Sequence, residues 1–356
     1  MLRRLFTSLL PGTRARSEEA ILVMSRDLLK RNQAQQVVDL VSPMIVRNPD
    51  HVGALCVRGE AWLELHNLIE ARRDLERAAG RSGKDPRIQY TLGLSYWIEG
   101  NVPKTVQHCR AALALADFEP AHLLLSKIEL EGENYRQLLK RIHRHLHPRT
   151  YVEIGVSTGT TLKLCDEATQ AIGVDPAPRL QFALAANQHV FSQTSDDFFA
   201  QHDVTGELGG KPVDLAFIDG MHLFEYALRD FSNLERLCTP HSTILVHDCY
   251  PLDRQTADRE RTTLFWSGDI WRLILLLKKY RPDLEINVIA APPTGLGVIR
   301  NLDPASRVIA DNLARICAEF LALDYSALAD SKRERLNLFP NDWERIRSML
   351  DSRGRR

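Results

Sequence analysis

Several residues able to hold a metal or move a proton stand where apolar runs give way to turns. Glu153 closes TYVEI, Asp175 follows QAIGV, Asp219 follows VDLAFI, and His247 and Asp248 close STILVHD. His222 comes three residues after Asp219. One acid in such a place is ordinarily a turn residue or a helix cap. A set of acids brought to one edge has wider chemistry. Two aspartates can bind a hard dication through oxygen, which makes Asp219 and Asp248 candidate metal ligands. An imidazole beside them can accept a proton near neutral pH, which makes His222 a candidate general base. His247 has two readings. It completes the metal site and moves its preference toward Mn²⁺, Fe²⁺ or Zn²⁺, or it is an inward histidine satisfied by the backbone.

These residues share an edge only if the elements carrying them are parallel. After HPRT at 147–150, short β-branched runs alternate with helical stretches. The runs predict strands at TYVEIGV, QAIGVDP, HVFSQT, VDLAFIDG and STILVHD, and two more around the turn in INVIAAPPTGLGVIRN. Helices are expected from about Leu162, at 179–187, over 222–237 and in IWRLILLLKKY. Such alternation predicts an α/β, Rossmann-like parallel sheet covered on both faces, closed by an antiparallel edge hairpin. Ligands of such sheets bind beyond the carboxyl ends of the strands. The polar segment 252–265 follows Asp248 and is a candidate mobile lid, and Trp266 and Trp271 are either pocket walls or core.

Gly155 and Gly159 flank the turn after the first strand, where glycine lets a ligand approach the backbone. The G-x-G-x-x-G pattern is absent. Asp175 lies 20 residues after Gly155, a spacing that suits a carboxylate accepting ribose hydroxyls in nicotinamide enzymes and methyltransferases alike. The combination E-x-G-x-x-x-G, G-V-D-P, D-L-A-F-I-D-G-x-H and V-H-D-C-x-P resembles class I S-adenosylmethionine-dependent methyltransferases, over residues 150–302. Its nearest likeness is to the metal-dependent sugar O-methyltransferase group. The resemblance implies S-adenosyl-L-methionine as cofactor, with Mg²⁺ or another divalent metal. It implies that Gly155 and Gly159 line the methionine part, Glu153 supports their loop, Asp175 holds the ribose, and Thr194, Ser195 and Asp196 lie near the adenine. It assigns Asp219 and Asp248 to the metal and His222 to proton abstraction from a sugar or other hydroxyl acceptor. The chain departs from the group beside the second aspartate, where His247 and Cys249 replace a further acid or amide.

Ahead of this lies a repeat. Gly59 and Gly93, Trp62 and Tyr96, Ala78 and Ala112, and Pro86 and Pro120 are each 34 apart, and Val37, Ala71 and Thr105 form a further series. With LGLSY at 92–96, the segment 17–147 resembles tetratricopeptide repeats, whose unit is a helix pair. About three units and a partial fourth at 119–145 are expected, since stacked pairs bury their apolar faces only together. This implies either a surface for a protein or peptide partner, or packing on the chain's own catalytic domain or into a dimer. Residues 306–350 read as C-terminal helices, and 1–16 and 351–356 as basic tails.

Of 356 residues, 46 are Lys or Arg and 46 are Asp or Glu, so no global charge calls for a nucleic-acid partner. Six cysteines without a CxxC pair suggest free thiols in a reducing, cytoplasmic setting. No run suits a transmembrane segment. The leading expectation is an O-methyltransferase with a recruiting repeat domain. The alternatives are a repeat interaction protein whose methyltransferase fold is inactive or merely binds cofactor, and a hydroxylase-like or NAD-dependent oxidoreductase on a Rossmann-like sheet.

Overall fold

A computed structural model describes residues 11–352, with side chains from Ser17 onward. Residues 1–10 and 353–356, most of the two basic tails read from sequence, lie outside the described residues. Helix α1 begins at Pro11, so residues 11–16 are helical rather than tail. The chain forms two compact units, divided between Leu125 and Ser126.

The first unit is built from helices α1 (Pro11–Lys30), α2 (Ala34–Arg47), α3 (Val52–Glu64), α4 (Leu68–Arg81), α5 (Pro86–Ile98) and α6 (Val102–Leu115), and α7 (Glu119–Glu129) crosses the division. Helix starts at 34, 68 and 102, and at 52 and 86, recur every 34 residues. The caps recur too. Asn67 and Asn101 accept a backbone N–H with their side chains, as do His51 and Asp85. Val37, Ala71 and Thr105 are wholly buried, as are Ala78 and Ala112. A Cβ on Gly59 would lie 2.7 Å from Leu75, and one on Gly93 would lie 3.3 Å from Cys109, so small residues set the helix spacing.

The second unit is a single eight-stranded sheet. Its strands are β1 (Thr150–Ile154), β2 (Gln170–Val174), β3 (Gln188–Phe191), β4 (Val213–Ile218), β5 (Cys238–His247), β6 (Glu285–Ile289), β7 (Leu296–Arg300) and β8 (Leu338–Phe339). Their order is β3-β2-β1-β4-β5-β7-β6-β8. The first five are parallel, and β7 pairs antiparallel with both β5 and β6. The expected Rossmann-like core and hairpin are therefore present. The short strand β8, parallel to β6, was not foreseen.

Period-two alternation decides which side chains each face buries. Val152, Ile154, Ala216, Ile218, Ile244 and Val246 join one core. Helices α9 (Ser195–Gln201), α10 (Val204–Glu207), α11 (Phe224–Glu235), α12 (Trp271–Tyr280) and α13 (Leu313–Leu321) contribute to it. Tyr151, Leu215, Phe217 and Leu245 face the other way. There they meet Leu138, Leu139 and Ile142 of α8 (Tyr135–Leu146) and Ile346 and Leu350 of α16 (Trp343–Asp351). The short helices α14 (Ser326–Ala329) and α15 (Lys332–Arg335) precede β8.

Helix α8 thus covers the sheet, although its sequence reads as the last partial repeat. It and α16 cover the face where helices were expected after β1 and β2. Those two helices do not form. After β1 there is one 3₁₀ turn, Leu162–Leu164. After β2, Pro176 and Pro178 work against helix. The chain there folds back over the first loop: Arg179 N–H donates to Ser157 O at 2.8 Å, and a Cβ on Gly159 would be 2.5 Å from the Phe182 ring. Among the described residues no helix is long and apolar enough to cross a membrane.

Candidate active site

The carboxyl ends of β1, β2 and β4 and the turn after β3 open on one cleft of about 800 Å³. Its wall includes Gly155, Asp175, Ser195, Asp219, His222 and Asp230. This volume is in the range of sites for molecules of cofactor size. A smaller cavity, about 10 Å³, lies where Asp219, His222 and Asp230 meet His247 and Asp248.

At β1 the chain must turn against its neighbour. Gly155 has φ 90°, and a Cβ there would be 2.0 Å from Asp219 O. Only glycine fits that approach. Asp175 organises the facing side of the loop. It accepts Ser157 N–H at 2.7 Å on Oδ2 and Ala177 N–H at 2.8 Å on Oδ1. Each oxygen keeps a lone pair for a further donor. Thr194 caps α9, taking the N–H of Asp197 at 3.2 Å and placing Ser195 on the wall. Asp196 is held by Arg229 through two contacts of 2.7 and 2.8 Å.

Glu153 does not line the cleft. It is fully buried beneath the loop, accepting from Tyr151 Oη and Thr161 Oγ1, both at 2.7 Å. Thr161 belongs to the loop, so Glu153 acts on it from below. Burial pushes its carboxyl up to about 8, against the two hydroxyl hydrogen bonds.

At β4 and β5 the imidazoles and carboxylates gather. His247 Nδ1 is 3.0 Å from Asp219 Oδ1 and 3.3 Å from Asp248 Oδ2. His222 Nδ1 is 2.9 Å from Asp248 Oδ2, and His222 Nε2 is 3.6 Å from Asp219 Oδ1. Yet His222 Nδ1 and Asp248 Oδ2 are both buried without a hydrogen bond of good geometry. Burial alone would lower both histidines, but the two aspartates outweigh it and raise them. Burial alone would raise Asp248, but the two imidazoles hold it well below the usual carboxylate range. His222 and Asp248 both have φ near +60°, a costly conformation for such residues that is common at functional sites.

Asp219, His247 and Asp248 each offer a ligand atom, and these atoms lie within 4.8 Å of one another. An unpartnered buried carboxylate oxygen faced by imidazole nitrogen is the donor chemistry a dication satisfies, so these residues fit a metal.

Four neighbours escaped sequence reasoning. The Tyr135 ring lies against His247 at 3.9 Å between centroids, and Arg136 donates to the Tyr135 hydroxyl at 3.0 Å; both sit on α8 and line the cleft. Their repeat-like setting hid them. Thr294, in the turn between β6 and β7, reaches both His247 and Asp248. Asp230 reads as a surface residue, but is buried to 3% exposure, and that burial lifts its carboxyl to about 7. Its place eight residues after His222, about two turns along the helix expected over 222–237, was the available signal, although the helix begins only at Phe224.

The segment read as a lid is tied down. Trp266 Nε1 donates to Asp258 O at 2.7 Å, and Ser267 Oγ to Thr256 O at 2.9 Å. Asp269, wholly buried, pairs with Arg259 at 2.7 Å and with Arg272, and accepts Phe224 N–H at 2.7 Å at the start of α11. Trp271 is core, whereas Trp266 stacks on His222 at 5.3 Å.

Residues 152–249 match the family described as a methyltransferase domain. No curated protein matches the chain in sequence. Solved structures similar to it include the O-methyltransferase TomG from Streptomyces achromogenes, involved in tomaymycin synthesis and in complex with SAM. It shows 16% identity over 47% of this chain and 79% of that one, with TM-score 0.36. Cofactor-bound Rv0187 from MTB shows 17% identity over 55% and 96%, with TM-score 0.38. An O-methyltransferase from Bacillus cereus in complex with SAH shows 14% over 49% and 85%, with TM-score 0.34. The family match supports reading residues 152–249, the stretch that carries Glu153, Asp175, Asp219, His222 and Asp248, as a domain of the methyltransferase kind.

Proposed function

We propose that the chain is an S-adenosylmethionine-dependent O-methyltransferase acting on a sugar or other hydroxyl acceptor, with divalent-metal assistance. One observation carries this reading: Asp219 and His222 line the same cleft as Gly155, Asp175 and Ser195. Proton-accepting groups thus share one space with a loop and acid suited to a nucleoside cofactor. S-Adenosylmethionine supplies an electrophilic methyl carbon when bound. Gly155 admits its amino-acid part, Asp175 accepts the ribose hydroxyls, and Ser195 lies by the base, whereas Gly159 is packed against Phe182 and shapes the loop from behind. Glu153 holds the loop through Thr161. A dication held by Asp219, His247 and Asp248 would stabilise negative charge on the acceptor oxygen.

The acceptor hydroxyl attacks in line. The oxygen–carbon bond forms as the sulfur–carbon bond breaks, and the hydroxyl proton passes to His222. Asp248 lies against Nδ1, so Nε2 is the nitrogen left to receive the proton. The products are the methyl ether and S-adenosylhomocysteine.

The helical unit, with its 34-residue period, is read as tetratricopeptide-like repeats that offer a surface to a protein or peptide partner. Calorimetry with S-adenosylhomocysteine tests the cofactor reading. Binding in the micromolar range is expected; binding of NADH in its place overturns the proposal.

A further inference from the structure

The Thr294 hydroxyl has one hydrogen to give. It donates to Asp248 Oδ1 at 2.6 Å, and it also lies 3.3 Å from His247 Nε2. An ionised carboxylate only accepts, so the hydrogen goes to Asp248 and the hydroxyl accepts from His247. His247 therefore carries a hydrogen on Nε2. Asp219 also only accepts, so Nδ1 donates to its Oδ1 at 3.0 Å. A dication that displaces this second proton would meet an Nδ1 lone pair directed at Asp219 Oδ1 and, at 3.3 Å, Asp248 Oδ2. Asp248 Oδ1 is engaged by Thr294, whereas Oδ2 is buried without a hydrogen-bond partner. One hydroxyl thus turns a nitrogen and an oxygen toward the same point.

Thr294 is itself held. It is 3% exposed, and its carbonyl accepts Tyr250 N–H at 2.7 Å. Gly295 N–H closes the turn on Ala291 O at 2.8 Å. The Tyr135 ring packs on His247 and limits its rotation. Fixing one ring nitrogen so that the other can ligate is the usual task of groups behind a metal-binding histidine.

We propose that Thr294 is a positioning residue that holds His247 as the Nε2–H tautomer, so that the site takes a borderline transition-metal dication in preference to Mg²⁺. This deepens the metal part of the proposed function and rests on it. Imidazole nitrogen suits Mn²⁺, Fe²⁺, Co²⁺ or Zn²⁺, whereas Mg²⁺ favours oxygen and keeps its water.

The test uses the full chain, stripped with chelator and titrated with Co²⁺ or Mg²⁺. Thermal unfolding and visible absorption are read for metal, and S-adenosylhomocysteine calorimetry is run in parallel. Co²⁺ is expected to raise the unfolding temperature and give a ligand-field band, binding at least about tenfold more tightly than Mg²⁺. Thr294→Val should weaken Co²⁺ binding by roughly 10–100-fold, and Thr294→Ser should restore it. His247→Asp should reverse the preference toward Mg²⁺. The proposal is overturned if Mg²⁺ binds as well as Co²⁺, or if folded Thr294→Val binds Co²⁺ like the parent. It is also overturned if neither ion changes either signal, which would mean that no metal displaces the Nδ1 proton of His247 from the aspartates. Metal binding without S-adenosylhomocysteine binding overturns the cofactor reading and leaves this proposal standing. Cofactor binding without metal does the reverse.

Discussion

Gly155 and Asp219 belong to neighbouring strand ends, and the first leaves no room for a side chain beside the carbonyl of the second: a Cβ on Gly155 would stand 2.0 Å from Asp219 O. The loop after β1 and the end of β4 are thus in backbone contact. Gly155→Ala meets both that contact and a φ of 90°. It should cost at least ~2 kcal/mol of stability and abolish S-adenosylhomocysteine binding, read by denaturant melts and calorimetry. Gly80→Ala, within α4 with nothing within 4 Å, should be neutral or stabilising by about 0.5 kcal/mol.

Asp175 supports its loop and is also proposed to hold the ribose. The two roles separate in a double cycle. Asp175→Ala should weaken S-adenosylhomocysteine binding by roughly 10–100-fold, corresponding to about 1.5–3 kcal/mol for hydrogen bonds to a charged group. Against the 2′-deoxyribose analogue the loss should shrink. An equal loss for both compounds would leave Asp175 with loop support alone.

Glu153 makes folding sensitive to alkali. Its folded carboxyl titrates at about 8, above its ordinary 4.5, so the folded chain holds the proton more tightly. This contribution is full below about pH 4.5 and is lost as pH rises toward 8. Glu153→Gln should remove that slope, roughly 1 kcal/mol per pH unit, in urea melts taken from pH 5 to 9.

His143 works in the opposite sense. It lies on α8, 2% exposed, edge-on to Tyr151 at 4.7 Å, and neither ring nitrogen has a hydrogen-bond partner. Burial lowers it to about 4, so the neutral ring is the folded form. Its contribution is intact above pH 6.5 and is lost as pH falls toward 4. His143→Phe should make the chain more resistant to acid between those values, because it replaces an unsatisfied polar ring by an apolar one. No change in the acid midpoint would remove His143 as its cause.

Asp269 joins Arg259, Arg272 and the first N–H of α11. Asp269→Ala leaves Arg272, itself 8% exposed, without its carboxylate. A loss of ~3–5 kcal/mol is expected. Limited proteolysis should then cut within 252–268, because this network ties that segment down.

Much of the site was legible because strands bring their own ends to one edge. Once VDLAFI and STILVH read as parallel neighbours, Asp219 and Asp248 had to be close, and β-periodicity required no distant information. The 34-residue spacing was legible for the same reason, since each helix pair repeats its own caps and small residues. Asp230 shows the limit. Helical periodicity placed it beside His222, but whether that side faced solvent depended on what packed there.

The linear chain determined where strands end, and so which acids meet. It also determined that glycine must stand at 155, through the turn that follows β1. Tertiary structure alone decided that α8 and α16 cover the sheet face left without helices after β1 and β2. It alone brought Tyr135, which precedes β1, and Thr294, in the turn between β6 and β7, against His247 at the end of β5. Local propensity acts over a few residues, whereas the tautomer of His247 depends on a hydroxyl 47 positions away, which only packing can deliver.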